Sequence, residues 1–252
     1  MFLPIVRISE KMYLDDLQNG KLFMRNLQYY QCLECDDLAR SDPFDGAIPT
    51  SGMIPKILEK SPEISKVNLQ TSRITTFNTY VSCFFGIKPH QIDSTGCIRI
   101  SPDIANELRK FNCEYAIIID LNRFAERLQK IVETEQPMLN FGHVTYLSKQ
   151  DYDTELNNLL HYIPTSQPLE FLKQSRFANQ QEFRISCKKN DSLYQELCSA
   201  DSSNSGVSVS PEMAKRISNS HIDIEIGPIQ EFSWIVKLSD LLEGKIAVRK
   251  LH

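Results

Sequence analysis

The run His221-Ile222-Asp223-Ile224-Glu225-Ile226 constrains this chain more than any other segment, because polar and apolar residues change places at every step. A period of two sends Ile222, Ile224 and Ile226 to one side of a strand and the polar residues to the other. Gly227-Pro228 follows at once and ends the run. Residues 181–187 (QEFRISC) repeat the pattern, with Phe183, Ile185 and Cys187 on one face and Glu182, Arg184 and Ser186 on the other. Strands written this way belong in a sheet whose two faces differ, and a charged face beside a core face marks a place to look for chemistry.

Two further segments are strand-like for a different reason. Residues 74–87 (ITTFNTYVSCFFGI) are dense in β-branched and aromatic side chains, and residues 115–120 (YAIIID) are apolar throughout. Residues 4–9, 21–23, 97–100 and 142–147 are shorter strand candidates. Helical spacing predicts helices over 11–19, closed by Gly20, over 27–38, over 102–110 behind Ser101, and over 123–134 with Phe124, Leu128 and Ile131 on one stripe. Residues 151–161, 211–218 and a final segment including 238–242 complete the helices. Residues 47–72, broken by Pro49, Gly52, Pro55 and Pro62, are expected as a surface excursion, and the Ser-rich residues 199–211 as a loop. Short strands and helices without a regular strand-helix-strand cadence predict the α+β class. The expected architecture is a single domain over 1–252, with a mixed or antiparallel sheet flanked by helices and a split-sheet cleft as one version of it.

At 252 residues, 41% hydrophobic, the chain has the material for one large core. Lys and Arg number 28 against 32 Asp and Glu, a net charge of -4, so no overall field draws it to phosphate backbones and any anion site must be local. The longest apolar stretch, around Ala116 to Ile119, falls far short of the roughly 20 residues a membrane helix needs, so no membrane partner is expected. Residues 1–8 lack a basic start and a small-residue cleavage site, so the expected location is the cytoplasm. Seven cysteines spread over the chain predict reduced thiols rather than a disulfide framework.

No phosphate loop, dinucleotide glycine fingerprint, nucleophile elbow or zinc-protease helix is present. Cys32 and Cys35 form the one CxxC, without a second pair at ligand spacing, so no metal site is expected there. What stands out instead is the order Arg7 on the first strand, Ser82 within the aromatic strand, and Gln180-Gln181-Glu182 at the start of the alternating strand. Each has a plain structural role available: a solvated arginine, a serine bonded to backbone, a carboxylate paired with Arg184. Lys173, Arg176 and Arg184 bracket Glu182, which makes either a local basic cluster for phosphate or a solvated strand edge. Tyr29 and Tyr30 offer stacking faces or plain core.

The arginine, serine, Gln-x-Glu order resembles the ADP-ribosyltransferase superfamily, in which a sheet around a split cleft holds NAD. The resemblance implies NAD as cofactor, contacted by Arg7 and Ser82; the residues themselves add Tyr30 as a stacking face and Arg184 as a phosphate-holding cation to the expected cofactor site. It implies Glu182 as the catalytic carboxylate that stabilises positive charge as the glycosidic bond breaks, and Gln180 as the residue addressing a macromolecular acceptor, protein or nucleic acid. A second resemblance rests on Asn19 to Met24, Arg40 to Gly46 (RSDPFDG), Ser82-Cys83-Phe84, residues 173–184 and residues 224–228. In that order they are similar to a large bacterial family of unassigned activity, from which Ser82 departs by preceding Cys83 rather than following the aromatic residue. The function expected is therefore a nucleotide-handling enzyme, concretely an ADP-ribosyl transferase in phage defence or toxin biology. The alternatives are a metal-dependent nuclease using Asp42, Asp45 and Glu182, and a non-catalytic binding module.

Overall fold

A computed structural model describes residues 3–32, 78–135, 138–160, 168–189, 216–217 and 219–248. The excursion over 47–72, the turn carrying Asp42 and Asp45, the cysteine at 35 and the loop over 199–211 lie outside the described residues.

The chain begins with a strand, β1 (Pro4–Ser9), a helix, α1 (Lys11–Gln18), and a second strand, β2 (Lys21–Asn26). Gly20 joins the last two at φ 103, a backbone angle that favours glycine. Asn26 then starts α2 (Leu27–Cys32) by accepting the Gln28 N–H on its side-chain oxygen at 2.9 Å. The aromatic segment forms β3 (Thr79–Gly86). The strand expected over 97–100 is present only as isolated bridges, Ile92 with Ile98 and Cys97 with Ala247. Helix α3 (Pro102–Arg109) leads to the apolar strand β4 (Tyr115–Asp120), whose last residue caps α4 (Leu121–Glu135) by accepting the Asn122 N–H at 2.9 Å.

The single strand expected over 142–147 is two: β5 (Met138–His143) and β6 (Thr145–Leu147), which belong to different sheets. After α5 (Lys149–Leu160) come the short β7 (Leu172–Gln174), a 3-10 turn over Ser175–Gln180 and the alternating β8 (Glu182–Lys188). The sharpest alternation is β9 (His221–Glu225). The chain closes with β10 (Ser233–Lys237), unforeseen in the sequence, and α6 (Leu238–Leu242).

Eight strands form one antiparallel sheet. β3 is its branch point. Along one edge β3 pairs with β8 from Thr79 to Phe85, and β5 lies beyond β8. The other edge is shared: Tyr80 and Val81 pair with β2, whereas Phe85 and Gly86 pair with β1. β1 and β2 therefore diverge opposite Ser82 to Phe84, and the sheet forks into β1-β4-β10 and β2-β9. The fold is therefore α+β, with a split antiparallel sheet.

Helices cover both faces. One face carries Ile5, Leu22, Phe84, Ile117 and Ile185 under Leu14 and Leu17 of α1 and Phe124 and Leu128 of α4. The opposite face carries Val6, Phe85 and Ile118 under Leu108 of α3 and Leu241 of α6. Burying Leu-sized side chains contributes about 1.5–3 kcal/mol each, which is why two apolar stripes fix the sheet between them.

Candidate functional site

Antiparallel partners stand on the same face, so register decides which candidate residues meet. Val6 lies opposite Phe85, and Phe85 lies opposite Glu182. Cys83 lies opposite Arg184. Glu182, Arg184 and Cys83 therefore share the face under α3. Arg7 and Ser82, one residue out of step, belong to the other face. The convergence of Arg7, Ser82 and Glu182 expected from the sequence is not what the sheet builds, because a one-residue step in a strand reverses the side chain.

Arg7 and Ser82 do meet each other. Arg7 Nη1 donates to Ser82 Oγ at 2.6 Å and to the Phe23 carbonyl at 3.5 Å, so a β1 side chain spans the fork to β3 and β2. Its guanidinium also lies 5.6 Å from the centre of the Phe84 ring. Burial lowers the Arg7 pKa, yet a guanidinium remains a cation.

On the α3 face, a cavity of about 120 Å³ opens between β1, β3, β8, α3 and the 3-10 turn. Val6, Ile8, Phe85, Leu108 and Phe111 make its apolar side, while Tyr30, Cys83, Lys173, Gln180, Glu182 and Arg184 make its polar end. Four candidates from the sequence, Tyr30, Gln180, Glu182 and Arg184, line it together. Arg7 and Ser82 do not.

Glu182 is the centre of the polar end. Arg184 Nε donates to its Oε1 at 2.6 Å, and Lys173 Nζ lies 2.9 Å from its Oε2. All three side chains are nearly enclosed, with Arg184 at 1% exposure and Glu182 at 5%. Burial opposes ionisation of the carboxyl, but Arg184 and then Lys173 outweigh it and hold Glu182 well below the usual carboxylate range. Arg184 Nη1 also donates to the Glu170 carbonyl at 2.6 Å. The solvated strand edge that the sequence allowed is thus replaced by an interior ion-pair cluster, because β8 is flanked by β3 and β5. Of the basic residues bracketing Glu182, Arg176 instead stays exposed, 4.7 Å from the Phe177 ring centre.

Two residues that sequence reasoning left aside complete the site. Cys83 shares the wall with Glu182, and burial first, Glu182 second, push its thiol well above the ordinary range. Tyr146 accepts the Glu182 backbone N–H on its hydroxyl at 2.8 Å. Nothing in the sequence pairs these with Glu182 except strand period, which needs the register to be useful. Burial likewise raises Tyr30, whose phenol stays neutral.

No family model, curated protein or solved structure matches this chain. The side chains themselves therefore carry the functional reading. Among the described residues no group of three or more His, Cys, Asp or Glu stands ready to hold a metal, and Asp42 and Asp45 of the nuclease alternative lie outside them. Among the described residues no helix is long and apolar enough to cross a membrane.

Proposed function

We propose that the cavity binds a nucleotide ring first, and that the reaction it supports is NAD-dependent transfer of ADP-ribose to a macromolecular acceptor. One observation carries this reading: the Glu182 carboxylate, fixed in its ionised state by Arg184 and Lys173, stands on the wall of a cavity whose other side, Glu107 apart, is apolar. The cavity, about 120 Å³, is smaller than the roughly 150 Å³ of a dry cavity that admits benzene, so it takes no more than part of one six-membered ring. In this reading the nicotinamide ring enters there by its edge, with the remainder of the dinucleotide outside.

As the bond between ribose and nicotinamide breaks, its electrons leave with neutral nicotinamide and positive charge develops on the ribose carbon. Glu182 offers that cation a carboxylate that needs no reorganisation, while Arg184 and Lys173 leave the cluster as a whole positive and suited to the dinucleotide's pyrophosphate. Both Glu182 oxygens are already engaged, which supports an electrostatic part for it rather than attack on the sugar. The acceptor then forms the new bond to carbon and releases a proton. Arg7 and Ser82 hold the fork in this reading and do not touch the ring.

Calorimetry with NAD and nicotinamide, together with nicotinamide release, tests it. Binding in the wild type and lost release in a folded Glu182→Gln protein are expected. Absence of NAD binding, or undiminished release in that variant, overturns it. The engagement of both carboxylate oxygens also suits a module that binds without turnover, for which NAD would raise the melting temperature with no nicotinamide released.

A further inference from the structure

Glu182 is gripped twice by one rung of a second sheet. β6 and β7 run parallel, and Tyr146 stands opposite Lys173. Tyr146 takes the Glu182 backbone N–H at 2.8 Å, while the Lys173 ammonium lies 2.9 Å from Glu182 Oε2. The same ammonium donates to Gln180 Oε1 at 3.0 Å. A single rung therefore fastens residues on both sides of Gln181, which sits at φ 42 in the left-handed region. That conformation is unfavourable for a residue with a side chain and persists where its surroundings impose it.

The chemistry of each group suits the task. Burial first, Glu182 next, push the Tyr146 phenol up to about 12, so it serves as a neutral acceptor and adds no charge beside the carboxylate. One ammonium nitrogen with three rotatable donors serves both acceptors here, whereas a guanidinium at this position would have to reach them with donors fixed in one rigid plane. With Arg184 on one oxygen and Lys173 on the other, the carboxylate plane is set.

We propose that the Tyr146–Lys173 rung is the positioning device of this site, presenting the Glu182 carboxylate and the Gln180 amide to the ligand as one preset pair. The identity of the ligand rests on the nucleotide reading above; the positioning role does not. Geometry fixed before binding saves the ordering cost at binding.

The test uses the full chain with carbon-13 in its glutamate carboxyls, the Glu182 signal being assigned by its loss in Glu182→Gln. Lys173→Met should raise the midpoint of Glu182 titration by about a unit, tenfold in acidity. Tyr146→Phe should raise it less. Lys173→Arg should restore the midpoint while NAD binds several-fold more weakly, because Gln180 loses its hold. The combined Lys173→Met and Tyr146→Phe loss in NAD affinity should be smaller than the two single losses together. A Glu182 midpoint unchanged in a folded Lys173→Met protein overturns the proposal. Should that variant not fold, an unchanged midpoint in a folded Lys173→Gln protein overturns it instead. A wild type that ignores NAD removes the nucleotide reading, and the titrations still decide the role of the rung.

Discussion

Arg7 and Ser82 are joined by a 2.6 Å hydrogen bond across 75 residues of sequence, at the point where β1 and β2 part. Strand pairing is missing there along one edge of β3, and the guanidinium stands in its place, reaching both Ser82 and the Phe23 carbonyl. Ser82 is 1% exposed, so the hydroxyl has little access to water as a substitute partner.

Ser82→Ala should therefore destabilise the fold by about 1–2 kcal/mol, as should Arg7→Met. The double variant should lose less than the sum, since the second change removes a bond already broken. Urea unfolding of the four proteins measures this; full additivity would mean that the pair does not hold the fork.

The ion pair at Glu182 makes stability depend on pH. Its carboxyl sits below the ordinary range in the folded protein, so ionisation favours the folded state. That contribution is complete above the unfolded value of about 4.3 and is lost as pH falls through it towards the folded value. Between pH 5 and 3 the wild type should lose stability more steeply than Glu182→Gln. Asp93 and Glu243 are also lowered, by their own hydrogen bonds, but they are common to both proteins and cancel. Parallel acid limbs in urea titrations would show that Glu182 is not the group responsible.

Glu182→Gln should also awaken Cys83. Burial and the carboxylate hold the thiol up, whereas Arg184 and Lys173 pull it down. Removing the carboxylate leaves the two cations facing the sulfur, and alkylation by iodoacetamide at pH 8 should accelerate about tenfold. Peptide mass mapping follows each thiol separately. A rise shared with buried Cys187 would signal unfolding, and a rate for Cys83 equal to wild type would refute the electrostatic argument.

Gly20 is irreplaceable for two reasons that act together. Its φ of 103 disfavours any side chain, and a methyl there would run into the Gly227 carbonyl. Gly20→Ala should cost more than about 2 kcal/mol. Gly227→Ala should cost less, because the atom it meets at 2.7 Å is the tip of the Arg127 side chain, which can swing away. Thermal unfolding ranks the two, and an equal or reversed order would contradict the contact argument.

Much of the framework was legible from local pattern. The stop at Gly20, the stripe of α4, the apolar β4 and the two faces of β8 and β9 all follow from spacings within about ten residues of sequence. β10 was missed because Ser-Trp-Ile-Val-Lys has no alternation: its Trp234, Ile235 and Val236 all become partly buried on the β4 edge. The break between β5 and β6 was missed because no turn residue marks it: Val144, whose N–H bonds to the Glu182 carbonyl at 2.9 Å, is the last contact with β8, and the next three residues pair with β7 instead.

For the site, the sequence alone placed Glu182 beside Arg184 on one strand face, since that depends only on the two-residue period of an extended backbone. It also drew attention to Lys173 by charge. Whether Ser82 or Cys83 would face that cluster was beyond it. Alternation says that they point oppositely; only the register of β3 against β8 and β1 says which way. That register is set by side chains packing under distant helices, and it turned the three residues expected to converge into a fork-spanning pair on one face and a buried ion-pair cluster on the other.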